Sequence, residues 1–151
     1  LKWLNANPVK GTGMAPLEYY HNYFIGSDSN HWKGGIYPHS KIAYQNLYDQ
    51  SKVVFYTAGG RLKYDWHLRN PSTLSQIKWQ YEGATGISLN EEGALIVETS
   101  VGEFMESIPV AWGWKDGERV DFPLMRYHVP SVIWMALYRS LFAIQASPLL
   151  G

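Results

Sequence analysis

The run Val53-Val-Phe-Tyr-Thr-Ala-Gly-Gly-Arg-Leu-Lys-Tyr-Asp-Trp-His-Leu68 constrains this chain more than any other stretch, because it reads as a complete β-hairpin. Val53, Phe55 and Thr57 alternate with Val54 and Tyr56. Leu62, Tyr64, Trp66 and Leu68 alternate with Arg61, Lys63, Asp65 and His67. The second arm therefore has one apolar and one charged face, as a half-buried antiparallel sheet requires. Gly59-Gly60 supplies the two positive-φ positions of a two-residue hairpin turn. By the same alternation Trp66 belongs to the core with Leu62, Tyr64 and Leu68, and Trp79 joins it with Ile77 and Tyr81.

Further strand candidates recur about every ten residues through the middle of the chain. They are Lys41 to Tyr44, Lys52 to Tyr56, Gln76 to Tyr81, Ile87 to Leu89, Ala94 to Glu98, Glu103 to Ser107 and Arg119 to Phe122. Turn chemistry separates them at Asn70-Pro71-Ser72, Gly83-Ala-Thr-Gly86, Asn90-Glu-Glu-Gly93 and Lys115-Asp-Gly117. No long segment of helical period precedes Pro130. The expected fold is all-β, an antiparallel β-sandwich of about eight to ten short strands with an atypical apolar C-terminal segment.

The 151 residues suffice for one domain with a real core. Its 13 basic and 13 acidic side chains cancel, so no chain-wide field attracts phosphate or anionic lipid, and nucleic acid is not an expected partner. An aromatic content of 15% suits strands or a stacking surface. The absence of cysteine removes disulfides and thiol chemistry and leaves the compartment undetermined.

The organisation divides into three parts. Residues 1–20 hold Pro8, Gly11, Gly13 and Pro16 and read as an extended lead-in with at most one short edge strand. Residues 21–127 carry the sandwich, and residues 128–151 form the apolar segment. From Ser131 to Ala146 only Ser131, Arg139, Ser140 and Gln145 are polar. As a helix this run spans about 24 Å, short of the ~30 Å hydrocarbon core, with Arg139 near its middle. A membrane span is therefore disfavoured against a buried helix or a pair of strands around Tyr138-Arg139-Ser140.

Several motifs occur in a distinctive order: Asn22-Tyr-Phe-Ile-Gly-Ser-Asp28, Trp32, Ile42-Ala-Tyr-Gln-Asn-Leu-Tyr48, Leu62-Lys-Tyr-Asp-Trp66, Asn70-Pro71, Tyr81-Glu-Gly-Ala84 and Glu92-Gly-Ala-Leu-Ile-Val-Glu-Thr99. Gly102, Glu106 and Pro109 complete the set. Over roughly Asn5 to Phe122 the chain resembles the domain of unknown function that precedes seven-bladed β-propeller (SBBP) repeats in secreted bacterial proteins, some bearing gliding-motility or type IX sorting domains. It departs from that pattern at Tyr48-Asp-Gln-Ser-Lys52, where the family has a Tyr-Pro-Gly-Ile-Asp type turn, and after Tyr127, where a Val-Ile-Asp-Pro type ending is missing. The segment beyond Tyr127 is then a divergent end, a truncation or non-native sequence. The resemblance implies an extracellular or cell-surface module of a larger polypeptide, and it brings no catalytic residue with it.

Candidate chemistry is sparse. His21, His31, His39, His67 and His128 form no closely spaced pair for a zinc ion, and no cofactor is expected. The Asp28-Ser-Asn-His31 loop offers clustered oxygens but reads better as a polar turn than as a calcium loop. Asp65, Glu82, Glu98, Glu103 and Glu106 are the acids of the sheet region, and Asp65, Glu98 and Glu103 fall at solvated positions. Ser27, Ser29 and Ser100 lack a nucleophile-elbow pattern, and Gly11-Thr-Gly13 opens no helix that would hold a phosphate. Trp112 and Trp114 flank Gly113 beside a turn and are the pair expected to be exposed; coplanar and solvent-facing, they would bind a sugar ring. Three functions follow in order. The first is a non-catalytic adhesion, spacing or assembly module outside the cell, whose partners are other domains of its polypeptide and surface glycan or protein. The second is a carbohydrate-binding module using the two tryptophans. The third is a glycoside hydrolase or peptidase fragment, which requires Asp65, Glu82 and Glu106 to converge.

Overall fold

A computed structural model of the chain describes residues 1–122, 126–128, 135–138, 144–146 and 148–149. The first strands are β1 (Lys2–Trp3), β2 (Thr12–Pro16), β3 (His21–Tyr23), β4 (Lys33–Ile36), β5 (His39–Gln45), β6 (Ser51–Ala58), β7 (Arg61–Leu68) and β8 (Lys78–Gln80). They continue with β9 (Ala84–Leu89), β10 (Leu95–Thr99), β11 (Gly102–Glu106), β12 (Val110–Lys115), β13 (Glu118–Phe122), β14 (Arg126–His128), β15 (Met135–Tyr138), β16 (Ile144–Ala146) and β17 (Pro148–Leu149). The fold is all-β, and every described ladder is antiparallel. Among the described residues the only helical segments are two 3₁₀ turns, Ser29–His31 and Pro71–Gln76.

The hairpin written at positions 53 to 68 forms as its sequence demands. β6 and β7 pair from Ser51↔Leu68 to Ala58↔Arg61, and Gly59 and Gly60 close the loop with φ of 59° and 74°. Those left-handed values belong to a type I′ turn, whose twist matches that of the strands it joins. Asp116 and Gly117, at φ of 53° and 84°, close β12 to β13 in the same way.

Four sheets result. A seven-stranded sheet runs β13-β12-β16-β7-β6-β5-β2; two four-stranded sheets run β1-β8-β15-β14 and β17-β11-β10-β9; β3 and β4 form a separate ribbon. Val53, Tyr64 and Trp66 of the large sheet share one core with Ile77 and Trp79 from around β8 and with Leu95 and Val97 of β10. The two tryptophans expected inside, Trp66 and Trp79, are completely buried. Leu62, expected with them, is instead 41% exposed: it sits one step from the turn and borders an open cleft.

Four expectations are corrected by this architecture. Seventeen strands are present among the described residues rather than eight to ten, since the Gly- and Pro-rich first third supplies four short ones and the tail four more. The lead-in holds two strands, β1 and β2, where one at most was expected, and Trp3 packs edge-on against Trp66 and Trp79, with ring centroids 5.0 and 5.5 Å apart. Gln76, expected to start a strand, ends the second 3₁₀ turn, which Asn70 caps by accepting from the Ser72 N–H at 3.0 Å. The two strands on either side of Tyr138-Arg139-Ser140 do not pair with each other: β15 lies between β8 and β14, and β16 between β12 and β7. Arg139 and Ser140, expected at the bend between them, lie outside the described residues.

The turn at Tyr48-Asp-Gln-Ser-Lys52 is held by a side chain of its own. Gln50 takes φ of 51°, and the buried Ser51 hydroxyl accepts from the Tyr48 N–H and donates to the Tyr48 carbonyl, both at 2.8 Å. Tyr48 in turn donates its own hydroxyl to the Leu4 carbonyl at 2.7 Å, which ties the lead-in to the core.

Candidate functional site

The most unusual chemistry in the molecule is a carboxylate with no solvent exposure. Glu106 ends β11 directly across from Leu95, and both residues are completely buried. Phe104, two residues earlier on β11, packs against the same core, so alternation carries Glu106 inward as well. Isolated burial of a charge is very costly, and this acid is accordingly met by hydroxyls. Tyr64 of β7 and Tyr81, just after β8, each donate to one of its oxygens. Tyr127 of β14 approaches the same carboxylate and donates to the Ser107 carbonyl at 2.6 Å. One carboxyl group thus sits where three sheets meet.

Burial drives the Glu106 carboxyl above its ordinary range, and the tyrosine hydrogen bonds only partly offset that rise. The hydroxyls of Tyr64, Tyr81 and Tyr127 are themselves pushed up, by burial first and then by the nearby Glu106 charge. These tyrosines are therefore fixed as protonated donors at neutral pH.

Tyr64 and Tyr81 also line a cleft of about 440 Å³, within the range of small-ligand sites. Six aromatic rings surround it, from Trp3, Tyr44, Phe55, Tyr64, Tyr81 and Phe104. Phe55 and Tyr64 face each other across the β6–β7 ladder with centroids 5.5 Å apart, Tyr44 meets Phe55 edge-on, and Tyr81 meets Phe104 at 5.3 Å. Trp3, Tyr44, Phe55, Tyr81 and Phe104 are only half-buried, so their rings border open space.

The other acids do not join Glu106. Asp65 lies on the face of β7 opposite Tyr64, where it accepts from the Tyr56 hydroxyl at 3.2 Å, and burial raises its pKa. Glu82 is exposed and paired with Lys2 at 3.5 Å. Glu98 and Glu103 face each other across the β10–β11 ladder as exposed residues beside the turn. Asp28 caps the first 3₁₀ turn by accepting from the Asn30 backbone at 3.0 Å, the polar turn expected from its sequence. Among the described residues His21 and His39 stand on separate strands, His31 lies in the Asp28 turn, and His67 lies on β7.

Trp112 and Trp114 share one face of β12, and Trp114 is 64% exposed. Their rings meet edge-on at 85°, with centroids 6.2 Å apart, so they do not make one flat platform. The Arg119 guanidinium covers Trp112 at 5.0 Å and is held by Asp121 at 2.8 Å.

Two features escaped the sequence reading. The first is the Glu106 cluster, whose signal was parity with Phe104. The second is the β3–β4 ribbon, exposed along its whole length, with Phe24 and Ile25 at its tip 62% and 74% exposed. Phe24 stacks edge-on with Trp32, whose indole N–H donates to the Gly26 carbonyl at 3.2 Å.

No curated protein and no solved structure matches the chain. A family of domains of unknown function, DUF7948, matches residues 1–131. With a match that long, the chain belongs to the DUF7948 family of domains of unknown function.

Proposed function

We propose that this domain is a non-catalytic β-module of a larger polypeptide that acts in adhesion, spacing or assembly outside the cell or on its surface. The observation that carries this reading is the exposed β3–β4 ribbon. An isolated two-stranded ribbon is marginal in water, and an exposed apolar patch marks an interaction surface. Here Tyr20, Phe24, Ile25, Trp32, Ile36 and Tyr37 are all large, apolar and solvent-facing on or beside that ribbon. The dispersal of Asp65, Glu82 and Glu106 supports the same reading, since hydrolysis by paired acids needs two of them in one cleft. The resemblance to modules preceding SBBP repeats supports the extracellular setting.

Protease treatment of intact source cells, with blotting for this domain, tests the location: accessibility is expected, and recovery solely from the cytosolic fraction refutes it. Replacing Phe24 and Ile25 together by serine tests the surface. Attachment of the full-length protein to its native surface is expected to fall with the melting temperature unchanged, and undiminished attachment removes the ribbon from the account.

A further inference from the structure

The aromatic cleft has a chemical bias beyond its shape. Its wall includes Tyr64 and Tyr81, and each of these hydroxyls already donates its one hydrogen to Glu106. Neither hydroxyl has a hydrogen left to donate to a ligand. The rings of Trp3, Tyr44, Phe55 and Phe104 line the cleft as well, and an aromatic ring carries the negative side of its quadrupole on its faces. None of the described residues around the cleft has a cationic side chain. A carboxylate stands one hydroxyl behind the wall, at a place with no water to screen it. Aromatic rings around a cavity with negative charge close behind are the arrangement that recognises alkylated ammonium groups.

We infer that the cleft bounded by Trp3, Tyr44, Phe55, Tyr64, Tyr81 and Phe104 binds a small organic cation, an alkylated ammonium group, with Glu106 supplying charge complementarity through Tyr64 and Tyr81. The site goes beyond the module's role in adhesion or assembly and does not depend on it. The volume admits a trimethylammonium group together with a short polar tail.

The test is calorimetric titration of the full chain with choline chloride and, separately, with choline's uncharged carbon isostere, in which a tert-butyl group replaces the trimethylammonium. The cation is expected to bind about tenfold more tightly than the isostere, the scale of a desolvated cation–π contact. Phe104→Leu and Tyr44→Leu keep an apolar wall but remove a ring face, and each is expected to weaken choline binding several-fold. Equal affinity for the two ligands overturns the inference, as does no binding of either. Unchanged choline binding in both leucine variants also overturns it, by placing the ligand elsewhere. The ligand comparison needs only the unaltered chain, so it decides the matter even if a variant fails to fold.

Discussion

Tyr64 donates its hydroxyl to Glu106 across the boundary between two sheets, so a single hydrogen bond clasps the seven-stranded sheet to the sheet built on β10 and β11. Removing the donor leaves a buried acceptor short of a partner. Tyr64→Phe is expected to cost about 1–3 kcal/mol in urea denaturation, since the desolvation penalty of the orphaned oxygen is then uncompensated. Combining it with Glu106→Met should give less than the summed losses, with a coupling of about 0.5–3 kcal/mol. Additivity within about 0.3 kcal/mol would show that the two groups do not act together.

The same cluster sets a pH dependence with a definite sign. Burial raises Glu106 above its unfolded value, so the folded state holds the proton more tightly than the unfolded state. Its contribution is fully present below the ordinary carboxylate pKa and is lost as pH rises through the folded value. The melting temperature of Glu106→Gln should therefore gain on that of the unaltered chain between acidic and neutral pH. Asp65, also raised, slopes the same way in both proteins and cancels in the comparison. Tyr64, Tyr81 and Tyr127 act likewise above pH 10, where only their unfolded forms ionise. Tyrosinate absorbance from these three should appear together with loss of the fold on alkaline titration, and its appearance in the intact fold would contradict their burial.

What the sequence disclosed and what it concealed follow from the range of the forces involved. The β6–β7 hairpin was legible because alternation and a Gly-Gly turn are local properties, and Val53↔Trp66 pairing follows from them without further information. The burial of Trp66 and Trp79 followed from the same parity. β12 was hidden because Gly113 interrupts it and its apolar side chains show no charged face, while β1 is only two residues long and exists by pairing with β8. Glu106 carried the right parity, but its inward turn requires hydroxyls from three distant segments, at positions 64, 81 and 127, which no local pattern announces. Trp112 and Trp114 were legible as neighbours beside a turn, whereas the cover that Arg119 gives Trp112 comes from the partner strand and has no local signal.

Ser51 makes a further testable substitution. The residue is 3% exposed, and its hydroxyl serves both the N–H and the carbonyl of Tyr48, in a turn where Gln50 already sits at a left-handed φ. Ser51→Ala leaves the buried Tyr48 N–H without that partner, and a loss of about 1–3 kcal/mol is expected by chemical denaturation. A loss below about 0.5 kcal/mol would mean that water replaces the hydroxyl and that the turn is more open than its geometry implies.

The crossed rings of Trp112 and Trp114 bear on the carbohydrate reading. A flat stacking surface is absent there, so only the exposed Trp114 face is left for a sugar. If the β12 face binds glycan, Trp114→Ala should abolish binding on a glycan array while the melting temperature holds. No signal from the unaltered chain, or a signal that survives the substitution, removes the tryptophan pair from consideration.

Trp3 decides whether the first twenty residues belong to the fold. It contacts the rings of Tyr64, Trp66 and Trp79 from a strand of two residues, so its place is secured by packing and by very little backbone pairing. Truncating a large aromatic in such a setting costs about 3–5 kcal/mol when fully buried, and Trp3 is half-buried, so about 2–3 kcal/mol is expected for Trp3→Ala. Because Trp3 also walls the aromatic cleft, the same substitution should weaken choline binding. Hydrogen exchange distinguishes a local from a global effect. Faster exchange at the Leu4 amide, which bonds the Lys78 carbonyl at 2.8 Å, with unchanged protection along β6 and β7, would show that the lead-in detaches alone. Uniform loss of protection would show that β1 is part of the cooperative core.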